Sequence, residues 1–271
     1  MAALALTAVL GGTAAPAGVV PPGFTDEVVW TGLTNPTAVR FASDGRAFVA
    51  EKSGLIKVFD GLADPTPTVF ADLRTNVHNF WDRGLLSLAL DPSFPTRPYV
   101  YVFYTYDAAI GGTAPRWGAA GATSDGCPNP PGSTGDGCVV SGRLSKLEAA
   151  GGGNTSTGTE QVLVEDWCQQ YPSHSVGTIA FGTDGALYAS GGDGASFTFT
   201  DYGQEGSPVN PCGDPPGGVG STLTPPTREA ACSWVRSGLA SAGSLMRRRS
   251  SKPLCGSSRS MRRRHMGWQP R

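Results

Sequence analysis

Residues 37–59 read TAVRFASDGRAFVAEKSGLIKVF (Thr37–Phe59), and their pattern decides the fold. Val39 and Phe41 alternate with polar or small neighbours, Asp44-Gly45 supplies a turn, and Ala47 to Ala50 resumes the strand. An Asp-Gly pair between two alternating runs is a strong hairpin signal, because both residues tolerate the positive φ that a tight turn needs. Gly54 then introduces a third run, Leu55–Phe59. The stretch predicts a three-stranded β-meander.

The same grammar returns twice. Gly84-Leu85-Leu86 opens a run ending at Asp91, followed by a Pro-rich turn and the strand Tyr99–Tyr104. Val176–Phe181 leads through Thr183-Asp184-Gly185 to Ala186–Ser190. The turn aspartates Asp44, Asp91 and Asp184 lie 47 and 93 residues apart, one period and nearly two. The period predicts a middle copy around Ser141–Leu147, an outer strand with a degenerate inner one. Units of 45–50 residues with about four strands each point to an all-β fold, a β-propeller. Met1 to Thr227 would supply about four blades, leaving the ring incomplete.

Composition agrees. Only 16% of residues are charged, and the chain holds 38 Gly and 22 Pro, which suits many tight turns better than helices. Net charge is −1, but it divides unevenly. Met1–Thr227 holds 10 Lys/Arg against 21 Asp/Glu, while Arg228–Arg271 holds 11 Lys/Arg against one acid, Glu229. An acidic body argues against a nucleic-acid partner. The tail, with Arg247-Arg248-Arg249 and Arg262-Arg263-Arg264, carries no alternating run and is expected to be foreign to the fold, frame-shifted or disordered.

The start, residues 1–17, reads as a signal peptide: Ala2–Leu10 is a short apolar run and Ala15-Pro16-Ala17 a cleavage site. That run is too short to span a membrane. Export is expected, with the folded part over 23–227 and the tail over 228–271. Six cysteines suit an oxidising compartment. Cys127 and Cys138 flank one Gly/Pro-rich insertion and can bridge; Cys168 and Cys212 can also pair, although spacing does not fix connectivity. Asn154-Thr155-Ser156 fits a glycosylation acceptor.

There are three histidines. His265 lies in the tail. His174, in the loop leading into Val176–Phe181, reads as a general base at the mouth of a channel, or as a turn histidine bonding a neighbouring carbonyl. His78 and Trp81 either line that mouth or cap a blade. Trp167, Tyr171 and Tyr202 either stack on a ligand or pack between blades.

Three segments carry a resemblance: NPTAVRFASDGRAFVAEKSGLIKVFD, FWDRGLLSLALDPSFPTRPYVYVFYTY and HSVGTIAFGTDGALYASGGDGA. In this order and at this spacing they resemble the opening blades of the glucose/sorbosone dehydrogenases, six-bladed quinoproteins. The resemblance runs from about Phe24 to Thr227. It implies oxidation of an aldose-type sugar at its anomeric hydroxyl, with hydride passing to pyrroloquinoline quinone (PQQ) and electrons leaving to an external acceptor. It implies that His174 is the base, that Asp193 and Gly194 border the cofactor, and that Asp82 faces the sugar. Asp193 alone also reads as a turn residue bonding its own backbone. Asp82 stands where relatives active on glucose carry Gln, and Ser173 where some carry an acid. Calcium is expected with the family, from ligands in later blades absent from this sequence, and turnover by this truncated chain is expected to be impaired. Two other functions use such folds: a calcium-dependent lactonase, for which Glu51, Asp193 and Asn210 would be ligands, and a non-catalytic binding propeller.

Overall fold

The computed structural model describes residues 20–128, 137–192, 194, 212 and, as backbone, 235–237. Residues 1–17 lie outside the described residues, as does the 228–271 tail apart from Val235–Ser237.

Three antiparallel sheets follow one another along the chain. The first is a meander of β1 (Pro36–Phe41), β2 (Ala47–Glu51), β3 (Leu55–Phe59) and β4 (Thr68–Asp72). The second is β5 (Leu85–Leu90), β6 (Tyr99–Tyr106), β7 (Val140–Ala149) and β8 (Ser156–Gln169). The third pairs β9 (Val176–Phe181) with β10 (Leu187–Gly191), and β10 with β11 (Val235–Ser237). Helix is confined to one 3-10 turn, Ala150–Gly152, among the described residues.

The turns repeat atom for atom. Ala42 N donates to Arg46 O at 2.8 Å and Gly45 N to Ala42 O at 3.1 Å; Gly182 N donates to Ala186 O at 2.9 Å and Gly185 N to Gly182 O at 3.0 Å. Asp44 and Asp184 each accept the backbone N–H two residues on through a side-chain oxygen, and Gly45 and Gly185 adopt φ of 94° and 74°. In the second sheet the closing bond is Asp91 N to Tyr99 O, 3.0 Å. Asp91 therefore corresponds to Ala42 and Gly182, not to Asp44 and Asp184.

The expected middle copy around Ser141–Leu147 is corrected by the strand pairing. These residues sit in β7, bonded to β6 on one side and β8 on the other. The 93-residue interval is one enlarged unit. Its extra length lies in the 107–139 insertion and in two long strands, 10 and 14 residues.

The sheets stack face to face. β6 shows how: Val100, Val102 and Tyr104 point to one core with Phe48, Ala50, Ile56 and Val58, while Tyr101 and Phe103 point to another with Trp167, Ile179 and Leu187. Both faces of the second sheet are thus covered. First strands adjoin, β1 against β5 and β5 against β9. The far face of the first sheet is only partly covered, by Trp30 stacked on Phe59 at 4.3 Å, and Phe41 remains 61% exposed. At the opposite ends of the strands Arg46 ties two hairpins together. Its guanidinium donates to Asn154 Oδ1 (2.9 Å) and Gly152 O (2.8 Å), while Asn154 Nδ2 donates to Asp60 Oδ1 (2.6 Å).

Candidate functional site

The starts of β5 and β9 and the ends of β2, β6, β8 and β10 meet at one end of the stack, and the segment 77–84 threads between them. Leu85 N donates to Lys52 O (2.9 Å), Thr105 N to Gly84 O (3.1 Å) and Asp82 N to Pro172 O (3.2 Å). Segment 77–84 is therefore held by the first two sheets and by the loop preceding β9.

His174 sits in that loop, exposed, with φ of 51°. Left-handed backbone is costly for a side-chain-bearing residue and persists only where neighbours hold it. Three neighbours do. Asp82 Oδ2 accepts from His174 N at 3.3 Å, Gly194 N donates to His174 O at 2.9 Å, and Gly192 N donates to Ser175 O at 2.7 Å. A Cβ on Gly192 would run into the carbonyl of His174, so only glycine allows this approach. Beneath the loop, Ser175 Oγ bonds Thr105 Oγ1 (2.8 Å) and donates to Gln169 Oε1 (3.0 Å), a buried polar layer.

The structure thus joins His174, Asp82 and Gly194; Asp193 lies outside the described residues. Asp82 meets the backbone of the His174 turn, and its charge also faces Lys52. The Lys52 ammonium, half-buried, donates to Asn79 Oδ1 at 2.5 Å. Burial lowers its pKa, with Asp82 opposing that shift. Trp81 is 53% exposed, stacked on Phe80 at 5.5 Å and edge-on to Tyr171 at 5.9 Å. His78 is buried, and Trp167 packs in the second core 5.0 Å from Phe103. Tyr202 and Asn210 lie outside the described residues. Glu51 is buried, paired with Lys57 (2.6 Å) and accepting from Thr34 N (2.8 Å).

Arg83, which the sequence did not single out, is fully buried and organises this end. It donates to Cys138 O (2.7 Å), Gln169 O (3.0 Å) and Tyr171 O (3.0 Å), joining the start of β7, the end of β8 and the His174 loop. Burial brings its pKa down to about 9, so it stays cationic at neutral pH. Two bridges close nearby, Cys127–Cys138 and Cys168–Cys212, with Cα separations of 5.3 and 5.4 Å.

Asp107 and Asp125 lie buried within the insertion. Asp107 accepts from Trp117 N at 3.2 Å, and Asp125 Oδ2 from Asn79 N at 2.7 Å. Burial, aided by Asp125, pushes Asp107 up to about 7, against the hydrogen bond from Trp117. A carboxyl raised from 3.8 in the folded state binds more protons folded than unfolded between those values. Stability therefore falls as pH rises through that window, by up to ~1.4 kcal/mol per pH unit. Asp107→Asn is expected to melt above the parent at pH 8, with that lead shrinking as pH falls towards 4. A lead independent of pH would refute the assignment.

Among the described residues no helix is long and apolar enough to cross a membrane. A family model described as Glucose / Sorbosone dehydrogenase matches residues 33–207. Among solved structures, a putative oxidoreductase (glucose dehydrogenase) from Thermus thermophilus is 29% identical, over 62% of this chain and 39% of that one, with TM-score 0.43. The PQQ-bound aldose sugar dehydrogenase of Streptomyces coelicolor is 20% identical over 73% and 52%, TM-score 0.44. The apo soluble aldose sugar dehydrogenase of Escherichia coli is 16% identical over 62% and 40%, TM-score 0.38. The chain spans between about two fifths and one half of these proteins. The family match covers well over half of the sequence, strands β1 to β10 included, and the chain belongs to the glucose/sorbosone dehydrogenase family.

Proposed function

We propose that residues 23–227 are the first blades of a six-bladed quinoprotein propeller that oxidises an aldose at its anomeric hydroxyl. Stacked meanders with adjoining first strands are what blades around an axis require. The observation that carries the chemistry is His174, an exposed histidine on a left-handed turn whose backbone is fixed by Asp82, Gly194 and Gly192 at the shared end of the strands.

PQQ is flat, aromatic and rich in carboxylates. The donor set here fits such a ligand: glycines at 191, 192 and 194 keep side chains away from the backbone, Trp81 presents an exposed ring, and Lys52 offers a cation. When bound, the quinone supplies a carbonyl carbon that takes up hydride. A ring nitrogen of His174 accepts the proton of the anomeric hydroxyl. Asp82 and Gly194 hold the backbone from which the imidazole projects. Trp81 and Tyr171 limit water at the mouth. Export and an acceptor outside the cytoplasm complete the reading.

The test is dye reduction by these blades completed with the later blades of a family member and supplied with PQQ and calcium. Turnover with an aldose, and none with its methyl glycoside, which lacks the anomeric hydroxyl, is expected. Equal rates on both, or quinone binding without turnover, would overturn the reading for this chain.

A further inference from the structure

A second cluster of ligand-type side chains lies below the site. His78 directs Nε2 at both sulfurs of the Cys127–Cys138 bridge, 3.7 Å from Cys127 Sγ and 3.9 Å from Cys138 Sγ. The three donor atoms all lie within 4.8 Å of one another. Gly126 O is 3.3 Å from the same nitrogen. His78 and Cys138 are fully buried, while Cys127 is half-exposed.

These separations are close to those around one tetrahedral ion. Bonds of about 2.3 Å to sulfur and 2.05 Å to nitrogen place N and S about 3.6 Å apart, and two sulfurs about 3.8 Å apart. The nitrogen-to-sulfur distances are within a few tenths of an ångström of that geometry. Only the two sulfurs need to separate.

Charge balance favours the same exchange. Arg83 Nη1 lies 3.2 Å from Cys138 Sγ, and among the described residues no carboxylate forms an ion pair with its guanidinium. Asp107 also acts on this guanidinium electrostatically, so Arg83 and Asp107 together set the buried charge total, to which the closed disulfide adds nothing. Two thiolates cancel a divalent cation, so a metal-dithiolate leaves that total unchanged. A bare dithiolate would not.

We propose that reduction of Cys127–Cys138 opens a site for one thiophilic divalent cation, held by His78 Nε2 and both sulfurs. The reductant is an external dithiol. Its first thiolate attacks the half-exposed Cys127 sulfur, the S–S bond breaks, and Cys138 leaves as a thiolate facing Arg83. The second thiol of the reductant then displaces Cys127 and closes its own disulfide. Two electrons pass to the cysteines, two protons from the dithiol go to solvent, and the cation takes both thiolates. Thiolate and imidazole ligands select zinc-like ions over calcium or magnesium. The site does not depend on sugar oxidation.

The experiment uses the full chain, reduced with a dithiol, freed of it anaerobically, and titrated with Co2+. Tetrahedral cobalt bands with sulfur charge transfer are expected at one equivalent and should be displaced by Zn2+. Unreduced protein should show none. His78→Gln, Cys138→Ser and, on the more exposed sulfur, Cys127→Ser should each weaken uptake more than about tenfold. Cys168→Ser should retain it. Bands in the unreduced protein, bands surviving Cys127→Ser or Cys138→Ser, or bands lost in Cys168→Ser would each overturn the site.

Discussion

His174→Ala is expected to lower aldose-dependent dye reduction by about 10²–10⁴-fold while PQQ binding persists, the usual range for removing a positioned base. The split between turnover and binding follows from where His174 is held. Its backbone is tied down by Asp82, Gly194 and the glycine approach at 192, none of which needs the imidazole. Alanine therefore removes the imidazole and leaves the loop in place. Alanine on left-handed backbone adds strain of about 1 kcal/mol, which histidine bears equally, so a fall in stability is not the expected outcome. Parallel assays of turnover and quinone binding check the prediction, and unchanged turnover would remove His174 from the chemistry.

The second large effect is on folding. Arg83→Met should cost about 3–5 kcal/mol, the range for breaking a buried charged network by removing one side of it. Methionine fits the tunnel of a buried guanidinium stem but donates nothing. Cys138 O, Gln169 O and Tyr171 O would each lose a donor inside the protein, where an unmet carbonyl costs about 1–3 kcal/mol. Arg83→Lys should recover only part of the loss, because one ammonium does not span a fork of planar donors. Urea unfolding reads the difference; a change under about 1 kcal/mol would mean that water or a rearranged loop replaces the guanidinium.

The hairpins were legible because their signals are local. Asp44-Gly45 and Thr183-Asp184-Gly185 carry their turn chemistry within four residues, and the β6 alternation Val100, Tyr101, Val102, Phe103 needs no partner to be seen. The enlarged second unit was not legible. Asp91 looks like the other turn aspartates but begins its turn two residues earlier, so an aspartate ruler measures a false period. The insertion at 107–139 has little alternation, and its hold comes from a disulfide and from Asp107 and Asp125, contacts that no periodicity announces. At the site, His174, Asp82 and Gly194 stood out as residues and do meet. Arg83 did not stand out, because in FWDRGLL it has the look of a surface charge. Its acceptors lie 55, 86 and 88 positions away, and only folding brings them to it. Gly192 is a similar case: its need for glycine comes from a carbonyl eighteen positions earlier.

The rim contact between Arg46, Asn154 and Asp60 has a consequence for sugar of another kind. An N-linked glycan is attached at the side-chain nitrogen of asparagine, and at Asn154 that nitrogen already donates to Asp60 while its oxygen is taken by Arg46. A carbohydrate chain there would wedge the two hairpins apart. In a host able to glycosylate, the Asn154-Thr155-Ser156 acceptor is open to the transferase only before the first two sheets close on each other, and a molecule that folds first should emerge bare at that position.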